Sequence, residues 1–274
     1  MSRTGLSQDY SDGIADRLAM VAATVLGNLA LGVATIVCGI PAILVARIPP
    51  RGKWYLVVAR IWSRLVLGSS GVRLERRFES QLDPARRYIF MANHQSLFDI
   101  MVLFLSLPVP FRFLAKASLF RIPILGWSLR AAGFVSVDRG RSDKGGQTFS
   151  SAMDALREGD SLLVFPEETR SLDGTLQEFK RGGLLMALKT GFAVVPVGIH
   201  GTLRARRKGS LKIRPGRVEV AIGRPIEVTE YGLKRKRELM ARIVSEITRL
   251  ARIDLADPAV TDDSPGDSGA RRLR

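Results

Sequence analysis

A run of 29 residues without a single charge, residues 18–46, constrains this chain more than any other feature. A straight helix of that length spans about 43 Å, more than the ~30 Å hydrocarbon core of a bilayer. Gly39 and Pro41 interrupt the run and predict a kink or a turn. The run is too long for an ordinary signal peptide and lacks a small-residue cleavage site. We expect a membrane helix or a re-entrant hairpin; the alternative is a helix buried in a protein core.

Basic and aromatic residues follow this run. The basic ones are Arg47, Arg51, Lys53, Arg60 and Arg64. In a spanning protein this Lys/Arg bias places the rest of the chain on the cytoplasmic side. Residues 54–67 form a second apolar stretch, which predicts an amphipathic helix at the membrane interface, with Trp54, Tyr55 and Trp62 at the level of the lipid headgroups.

The overall charge points to an anionic partner. Lys and Arg total 42 against 26 acidic residues, a net charge of +16, which suits nucleic acid, a phospholipid surface or a phosphorylated substrate. Apolar residues make up 46% of the chain, so wholesale disorder is excluded. With Cys38 as the one cysteine, an internal disulfide and a cysteine-based zinc site are excluded as well.

Beyond residue 68, short apolar runs alternate with helical patterns. The seven predicted strands cover residues 72–75, 88–91, 112–115, 134–137, 162–165, 194–199 and 218–222. Helical spacing appears at 149–156 before Gly159, at 184–189 before Gly191, and at about 232–253. This alternation predicts an α/β fold: a mostly parallel sheet of about seven strands flanked by helices, preceded by N-terminal membrane-associated helices.

The chain divides into four predicted regions. They are a loose N-terminus (1–17), the membrane-associated helices (18–68), the α/β domain (69–255) and a disordered, Asp-, Ser-, Pro- and Gly-rich tail (256–274). The sequence has no Gly-Lys-Ser/Thr phosphate loop, no Gly-x-Gly-x-x-Gly and no Gly-x-Ser-x-Gly. These absences argue against a nucleotide-dependent enzyme and against a serine hydrolase of the usual α/β kind.

One of only two histidines lies in a motif that suits acid–base chemistry. Residues 93–99, Asn-His-Gln-Ser-Leu-Phe-Asp, follow a predicted strand and open a predicted helix. His94 and Asp99 are five apart and meet only if His94 precedes the regular helical turns. Asp99 would then fix the imidazole tautomer and leave the other ring nitrogen as a general base. Backbone N–H groups at such a corner can hold an oxyanion. Spacing alone leaves open a turn histidine followed by a capping acid.

Two further clusters end predicted strands. Residues 165–171, Phe-Pro-Glu-Glu-Thr-Arg-Ser, lie where ligands bind in open α/β sheets, and Arg170 can grip a phosphate bidentately. The alternative is a solvated loop with Glu–Arg pairing. Residues 133–139 end in Asp138 and Arg139, for which a surface ion pair is the alternative.

Taken together, these motifs resemble the glycerolipid acyltransferases, and within them the bacterial lysophosphatidic acid acyltransferases. The resemblance covers roughly residues 54 to 223, in the family's order and spacing. The matching positions are Asn93-His94-Gln95-Ser96-x-x-Asp99, Lys116, Pro123, Gly126, Gly133, Asp138-Arg139, Phe165-Pro166-Glu167-x-Thr169-Arg170-Ser171, Phe179-Lys180-Arg181-Gly182 and Val195-Pro196-Val197.

The resemblance implies a role for each matching residue. His94 corresponds to the catalytic base and Asp99 to its partner acid. Five positions correspond to the acceptor-phosphate side of the site: Lys116, Arg139, Glu167, Thr169 and Arg170. Pro196 lies in the block that shapes the acyl-donor side.

The implied reaction moves an acyl group from acyl-CoA or acyl-carrier protein to the sn-2 hydroxyl of lysophosphatidic acid (1-acyl-glycerol-3-phosphate), giving phosphatidic acid. It implies direct transfer without an acyl-enzyme, no bound cofactor or metal, and a catalytic domain on the cytoplasmic side of the cytoplasmic membrane, in contact with its phospholipid surface. Ser96 as a covalent nucleophile is an alternative within this chemistry. Another lysolipid acceptor, such as a lyso-ornithine lipid or a lysophospholipid, is a second alternative.

An alternative from another class is a non-catalytic, membrane-anchored binder of anionic lipid or nucleic acid. Its footprint would be the basic run Arg204, Arg206, Arg207, Lys208, Lys212, Arg214 and Arg217. That run holds no aromatic residue for base stacking, which argues against single-strand recognition, and we expect no nucleic-acid partner.

The chain departs from the family pattern at Glu168, where the family normally has glycine. Glycine permits backbone angles that glutamate resists, and a carboxylate beside a phosphate-binding arginine repels the substrate. Either Glu168 points into water or the acceptor is held differently here.

Overall fold

The seven predicted strands all form, and they build one sheet. A computed structural model describes residues 13–46, 48, 53–137, 150, 152–154 and 160–253. Its strands are β1 (Val72–Phe78), β2 (Ile89–Ala92), β3 (Phe111–Lys116), β4 (Val135–Val137), β5 (Ser161–Val164), β6 (Val194–His200) and β7 (Gly216–Ile222). The order across the sheet is β1-β7-β6-β2-β5-β3-β4, and only β6 and β7 pair antiparallel. The predicted mostly parallel α/β sheet is thereby confirmed.

Helices cover both faces of the sheet. The α-helices with described bounds are α1 (Ile14–Val45), α2 (Lys53–Ser69), α3 (Phe98–Ser106), α4 (Leu125–Ala131), α5 (Arg181–Thr190), the single turn α6 (Thr202–Ala205) and α7 (Lys236–Ala251). Helix α5 ends at Gly191 in the left-handed conformation (φ 71°), as the sequence predicts. Of the predicted helix at 149–156, residues 150 and 152–154 are described and are helical; Gly159, Arg139 and the tail lie outside the described residues.

The central strand β2 shows how the core is divided. All four of its residues are buried, and they alternate between two hydrophobic clusters. Phe90 faces the cluster that includes α2 and α3, whereas Ile89 and Met91 face the cluster that includes α5 and α7. Because β2 is covered on both sides, its sequence is a continuous apolar run, as is typical of parallel sheets. The motif after β2 therefore follows a strand that is buried on both faces.

Helix α1 is continuous through Pro41, so the predicted turn near Gly39 does not form. Its most apolar 18-residue stretch has a mean hydropathy of 2.2 and is only 17% buried. Side chains such as Val25, Leu29 and Ile36 are more than half exposed. A core helix would bury these side chains, so the exposed apolar surface fits membrane association.

Small and polar residues of α1 attach it to the rest of the chain. Gly27 packs against Ser70 at the end of α2, where a side chain would not fit. The Thr24 hydroxyl donates to the Ile213 carbonyl (3.3 Å) and accepts the Ile213 N–H (3.0 Å). The Asn28 amide donates to the Leu211 carbonyl at 2.8 Å. The polar residues inside the apolar run therefore join α1 to the loop at 211–213.

Helix α2 packs more deeply than its sequence predicted. Tyr55 is buried and its hydroxyl donates to the Phe111 carbonyl, so its predicted place at the lipid headgroups is wrong. The Arg60 guanidinium donates to the carbonyl oxygens of Phe104 (3.0 Å) and Leu107 (2.9 Å), where it caps the C-terminal end of α3. Trp54 remains 48% exposed.

Candidate active site

The His94 motif lies where β2 gives way to α3. The Asn93 side chain donates to the Ile199 carbonyl at 2.9 Å and accepts the Ile199 N–H at 2.7 Å. These two bonds tie the end of β2 to the end of the neighbouring strand β6. The chain then turns through residues 94–97 before α3 begins at Phe98, so His94 precedes the regular helical turns.

This placement brings His94 and Asp99 together. The His94 Nδ1 lies 2.7 Å from the Asp99 Oδ2. The same oxygen accepts the backbone N–H groups of Gln95 (2.7 Å) and Ser96 (2.8 Å), so the capping alternative is realised alongside the pairing. Asp99 is fully buried, whereas the His94 side chain is 13% exposed. With Nδ1 engaged, the Nε2 of His94 is the ring nitrogen left for proton transfer.

The imidazole is also held by an aromatic ring. Phe165 stacks on His94 with ring centroids 4.0 Å apart and planes within 19° of parallel. Sequence reasoning missed this contact. The available signal was that Phe165 directly follows β5, which pairs with β2, so the two residues reach the same sheet edge. The stack and the Asp99 bond together fix the plane of the imidazole.

Backbone N–H groups at the corner are not free to hold an oxyanion. The His94 N–H donates to Glu167, the Gln95 and Ser96 N–H groups donate to Asp99, and the Phe98 N–H donates to the Ser96 hydroxyl. Carboxylate and hydroxyl oxygens of the chain itself occupy these four N–H groups, so they are not available for the oxyanion role expected of the backbone at this corner.

The Ser96 hydroxyl is engaged as well. It is fully buried and donates to the Arg206 carbonyl at 2.6 Å. A covalent nucleophile needs access to the substrate and a base beside it, so this geometry does not support the alternative of a Ser96 acyl-enzyme.

Glu167 faces inward rather than toward a ligand. Its two oxygens accept the N–H groups of His94 (2.7 Å) and Gln177 (2.9 Å), and the residue is 3% exposed. Burial raises the pKa of Glu167 to about 7; the two N–H bonds oppose this rise and the nearby charge of Asp99 adds to it. The geometry therefore makes Glu167 a residue that positions His94, which differs from the acceptor-binding role implied by the resemblance.

The rest of this block follows the same edge of the sheet. The Ser171 N–H donates to the His94 carbonyl at 2.8 Å, so Arg170 lies directly beside the His94 turn. Arg170 is half-buried, whereas Thr169 is exposed. Lys208 donates from its Nζ to the Thr169 hydroxyl (3.0 Å) and to the Arg170 carbonyl (3.4 Å). Sequence reasoning had placed Lys208 in a separate basic footprint.

Glu168 adopts the conformation for which glycine is suited. Its φ is +59°, in the left-handed region, and its N–H donates to the Phe165 carbonyl at 3.0 Å. Its side chain is exposed, so of the two expectations the structure shows a carboxylate pointing into water. A non-glycine residue in this region costs about 1–2 kcal/mol.

Two of the remaining predicted residues lie at different distances from this edge. Lys116 is exposed at the carboxyl end of β3, two strands from β2 and therefore roughly 10 Å away along the sheet. Pro196 lies inside β6 opposite Met91, buried beside Gly223, so the structure does not bring it to the edge that carries His94. Its predicted place on the acyl-donor side stays a prediction.

Comparisons with known proteins agree with this geometry. The Acyltransferase family model matches residues 73–200, which include His94, Asp99 and the block around Arg170. The chloroplastic 1-acyl-sn-glycerol-3-phosphate acyltransferase of Arabidopsis thaliana is 36% identical over 182 residues, covering 65% of this chain and 50% of that protein. The chain spans about half the length, or less, of the first three curated relatives it matches.

Bacterial relatives match over more of their length. The 1-acyl-sn-glycerol-3-phosphate acyltransferase of Pseudomonas aeruginosa is 28% identical over 225 residues, covering 80% of this chain and 86% of that protein. The crystal structure of the 1-acyl-sn-glycerophosphate acyltransferase of Thermotoga maritima superposes with a TM-score of 0.75 at 26% identity, covering 87% of this chain and 97% of that one. The resemblance noted from the motifs is thereby confirmed, and the part of the chain that matches the Acyltransferase family model is residues 73–200.

Proposed function

We propose that this chain is a 1-acyl-sn-glycerol-3-phosphate acyltransferase that uses His94 as its general base. The observation that carries the proposal is the 2.7 Å contact of His94 Nδ1 with the buried Asp99, which leaves Nε2 for proton transfer in a turn whose backbone bonds to Ser171, the residue after Arg170. Ligands of open α/β sheets bind at this edge. The names of the relatives supply the acceptor, lysophosphatidic acid.

The proposed reaction is a direct acyl transfer. The Nε2 of His94 takes the proton of the sn-2 hydroxyl while that oxygen bonds to the thioester carbonyl carbon of the donor. The tetrahedral intermediate collapses, the carbon–sulfur bond breaks, and the departing thiolate receives the proton from the imidazolium. The carboxylate of Asp99 stabilises the imidazolium and holds its tautomer. General-base catalysis of this kind contributes about 10²–10⁴-fold to the rate.

Cationic residues flank the proposed base and suit the acceptor phosphate. Arg170 binds phosphate oxygens bidentately in this scheme, with Thr169 beside it and Lys116 farther along the edge. Arg139 completes the set by resemblance and lies outside the described residues. Glu167 holds the backbone of the His94 turn instead of binding the acceptor.

Association with a membrane fits a reaction whose acceptor and product are lipids. Helix α1 exposes the apolar surface, and an enzyme docked at the interface meets its acceptor by two-dimensional diffusion. Each Lys or Arg near an anionic lipid surface adds about 1 kcal/mol of attraction. We place the α/β domain on the cytoplasmic side of the cytoplasmic membrane, where acyl-CoA and acyl-carrier protein are found.

An assay of acceptor and donor choice tests this proposal. The full-length chain, purified in detergent, is offered lysophosphatidic acid or lyso-ornithine lipid, each with acyl-CoA or acyl-carrier protein. We expect phosphatidic acid from lysophosphatidic acid with at least one donor. Acylation of only the lyso-ornithine lipid would assign another acceptor to the same chemistry. Absence of transfer in all four combinations, from a folded protein that binds anionic vesicles, would instead favour the non-catalytic alternative.

A further inference from the structure

Arg206 differs from the other members of the basic run around it. It is 8% exposed, whereas its neighbours Arg204, Arg207 and Lys208 are exposed. Arg206 is therefore not part of the surface on which a polyanion would lie. It faces the interior beside the His94 turn.

The backbone of Arg206 is tied to the proposed active site. Its carbonyl accepts the hydroxyl of Ser96, two residues after His94. Its guanidinium lies over the ring of Phe98, with the Cζ 5.9 Å from the ring centroid, and its Nε donates to the Ser210 carbonyl at 3.3 Å. The Nη1 is buried and has no hydrogen-bond partner among the described residues.

The charges around Arg206 are of the same sign. Burial, and then the charge of Arg170, lower the pKa of Arg206. Within the described part of the chain, no carboxylate lies within ion-pair distance of Arg206, Arg170 or Lys208. A buried cation without a counter-charge is costly, because no ion pair offsets the loss of water around its charge. Arg206 is buried beside the half-buried Arg170 and the exposed Lys208, and three cations side by side suit a ligand with more than one negative charge.

We propose that Arg206 binds a phosphate oxygen of the acyl acceptor and selects acceptors with a phosphomonoester dianion. Arg170 and Lys208 surround the same group from the exposed side of the site. The inference rests on the proposed function and names a specificity residue that neither motif spacing nor the resemblance assigns.

The acceptor fits this position better than the donor does. Its phosphorus is only four bonds from the sn-2 hydroxyl oxygen, so a phosphate-binding group must lie close to His94. Arg206 meets this requirement because its carbonyl accepts the Ser96 hydroxyl, and Arg170 meets it because the next residue, Ser171, donates its N–H to the His94 carbonyl. The nucleotide phosphates of acyl-CoA are separated from the thioester by the whole pantetheine arm.

Binding measurements that do not require turnover test the inference. The full-length chain in detergent is titrated with glycerol 3-phosphate, inorganic phosphate and coenzyme A. The variants are Arg206→Met, which keeps the packing against Phe98, and Arg206→Lys, which keeps the charge. Arg207→Met is the matched control, because Arg207 is the exposed neighbour. The unfolding temperature of each variant is measured without phosphate.

We expect Arg206→Met to weaken glycerol 3-phosphate binding at least tenfold, Arg206→Lys to weaken it less, and Arg207→Met to stay within twofold. Inorganic phosphate should follow the same order with lower affinity, and coenzyme A binding should be unchanged. Arg206→Met should unfold at the same temperature as the unmodified chain or higher, because it removes an uncompensated charge. If the variants change glycerol 3-phosphate binding in this order but the chain does not acylate lysophosphatidic acid, the proposed reaction is refuted and the phosphate site is retained.

Three results would overturn the inference. The first is unchanged glycerol 3-phosphate binding in Arg206→Met. The second is a loss of specificity: either Arg207→Met loses as much glycerol 3-phosphate binding as Arg206→Met, which would indicate general attraction by the basic run, or Arg206→Met loses coenzyme A binding in place of glycerol 3-phosphate binding. The third is a lower unfolding temperature, or failure to fold, in both Arg206 variants, since Arg206 would then be a structural residue.

Discussion

The His94 turn and the cationic flank formed by Arg170, Arg206 and Lys208 lie side by side but differ in how their polar groups are satisfied. In the turn, the Nδ1 of His94 and the backbone N–H groups of residues 94–96 all bond to carboxylates of the chain itself. In the flank, the cations lack carboxylate partners within the described ranges. The turn is complete in the folded chain, whereas the flank is complete only when an anion binds. The turn therefore sets the geometry of the proposed base, and the flank recognises the charge of the substrate.

Asp99→Asn disrupts the turn and should have the largest effect among the substitutions of residues around the proposed base. The asparagine amide would donate to Nδ1 and stabilise the wrong imidazole tautomer, so we expect kcat to fall at least 10³-fold with KM nearly unchanged. Steady-state kinetics with lysophosphatidic acid give this result directly. A variant with normal circular dichroism and a kcat within tenfold of the parent would refute the role of Asp99.

Glu167→Gln weakens the turn from its other side. A glutamine cannot accept both the His94 and Gln177 N–H groups, and the resulting displacement of His94 should lower kcat about 10–100-fold. An unchanged kcat would show that the His94 backbone does not need this carboxylate.

The same substitution gives a test by pH. The pKa of Glu167, about 7 in the folded chain, exceeds the ordinary value of about 4.3. The folded chain binds the Glu167 proton more tightly than the unfolded chain does, so protonation of Glu167 adds to the unfolding free energy. This added stability is fully present below about pH 4 and is lost as the pH rises through 7. The parent should therefore lose up to about 3 kcal/mol of unfolding free energy between pH 5 and 8 relative to Glu167→Gln. Urea unfolding of both proteins at pH 5 and pH 8 measures this loss. An unfolding free-energy difference between the parent and Glu167→Gln that is the same at the two pH values would contradict the raised pKa.

Arg170→Ala acts on the flank and should change KM more than kcat. Loss of a bidentate phosphate contact should raise the KM for lysophosphatidic acid about tenfold or more. Arg204→Ala is the matched control, because Arg204 is exposed and lies outside the three-residue flank. An equal effect of both substitutions would show that the net charge, and not the flank, attracts the acceptor.

Glu168→Gly should have the smallest effect and the opposite sign. Glycine adopts the left-handed backbone of residue 168 without strain, and the substitution removes a negative charge beside Arg170. We expect the KM for lysophosphatidic acid to fall severalfold, with stability changed by no more than about 1 kcal/mol because glycine also loosens the unfolded chain. A higher KM would indicate that the Glu168 carboxylate contributes to acceptor binding.

Local patterns predicted most of the fold and part of the site. The strands and α7 were predictable because apolar spacing reports burial, and the meeting of His94 with Asp99 followed from a turn placed before a helix. The inward orientation of Glu167 and the burial of Arg206 were not predictable. Both depend on contacts between segments 73 and 110 residues apart, which spacing along the chain does not encode. Tyr55 was misplaced for the same reason, since its partner Phe111 belongs to a distant strand.

The chain offers its own control for the central claim, because His94 and His200 are its only histidines. His200 is exposed at the end of β6 and serves as the comparison. We predict that His94→Gln lowers kcat/KM for lysophosphatidic acid about 10²–10⁴-fold while the fold remains intact, and that His200→Gln stays within twofold of the parent. A folded His94→Gln enzyme that turns over as fast as His200→Gln would contradict general-base catalysis by His94.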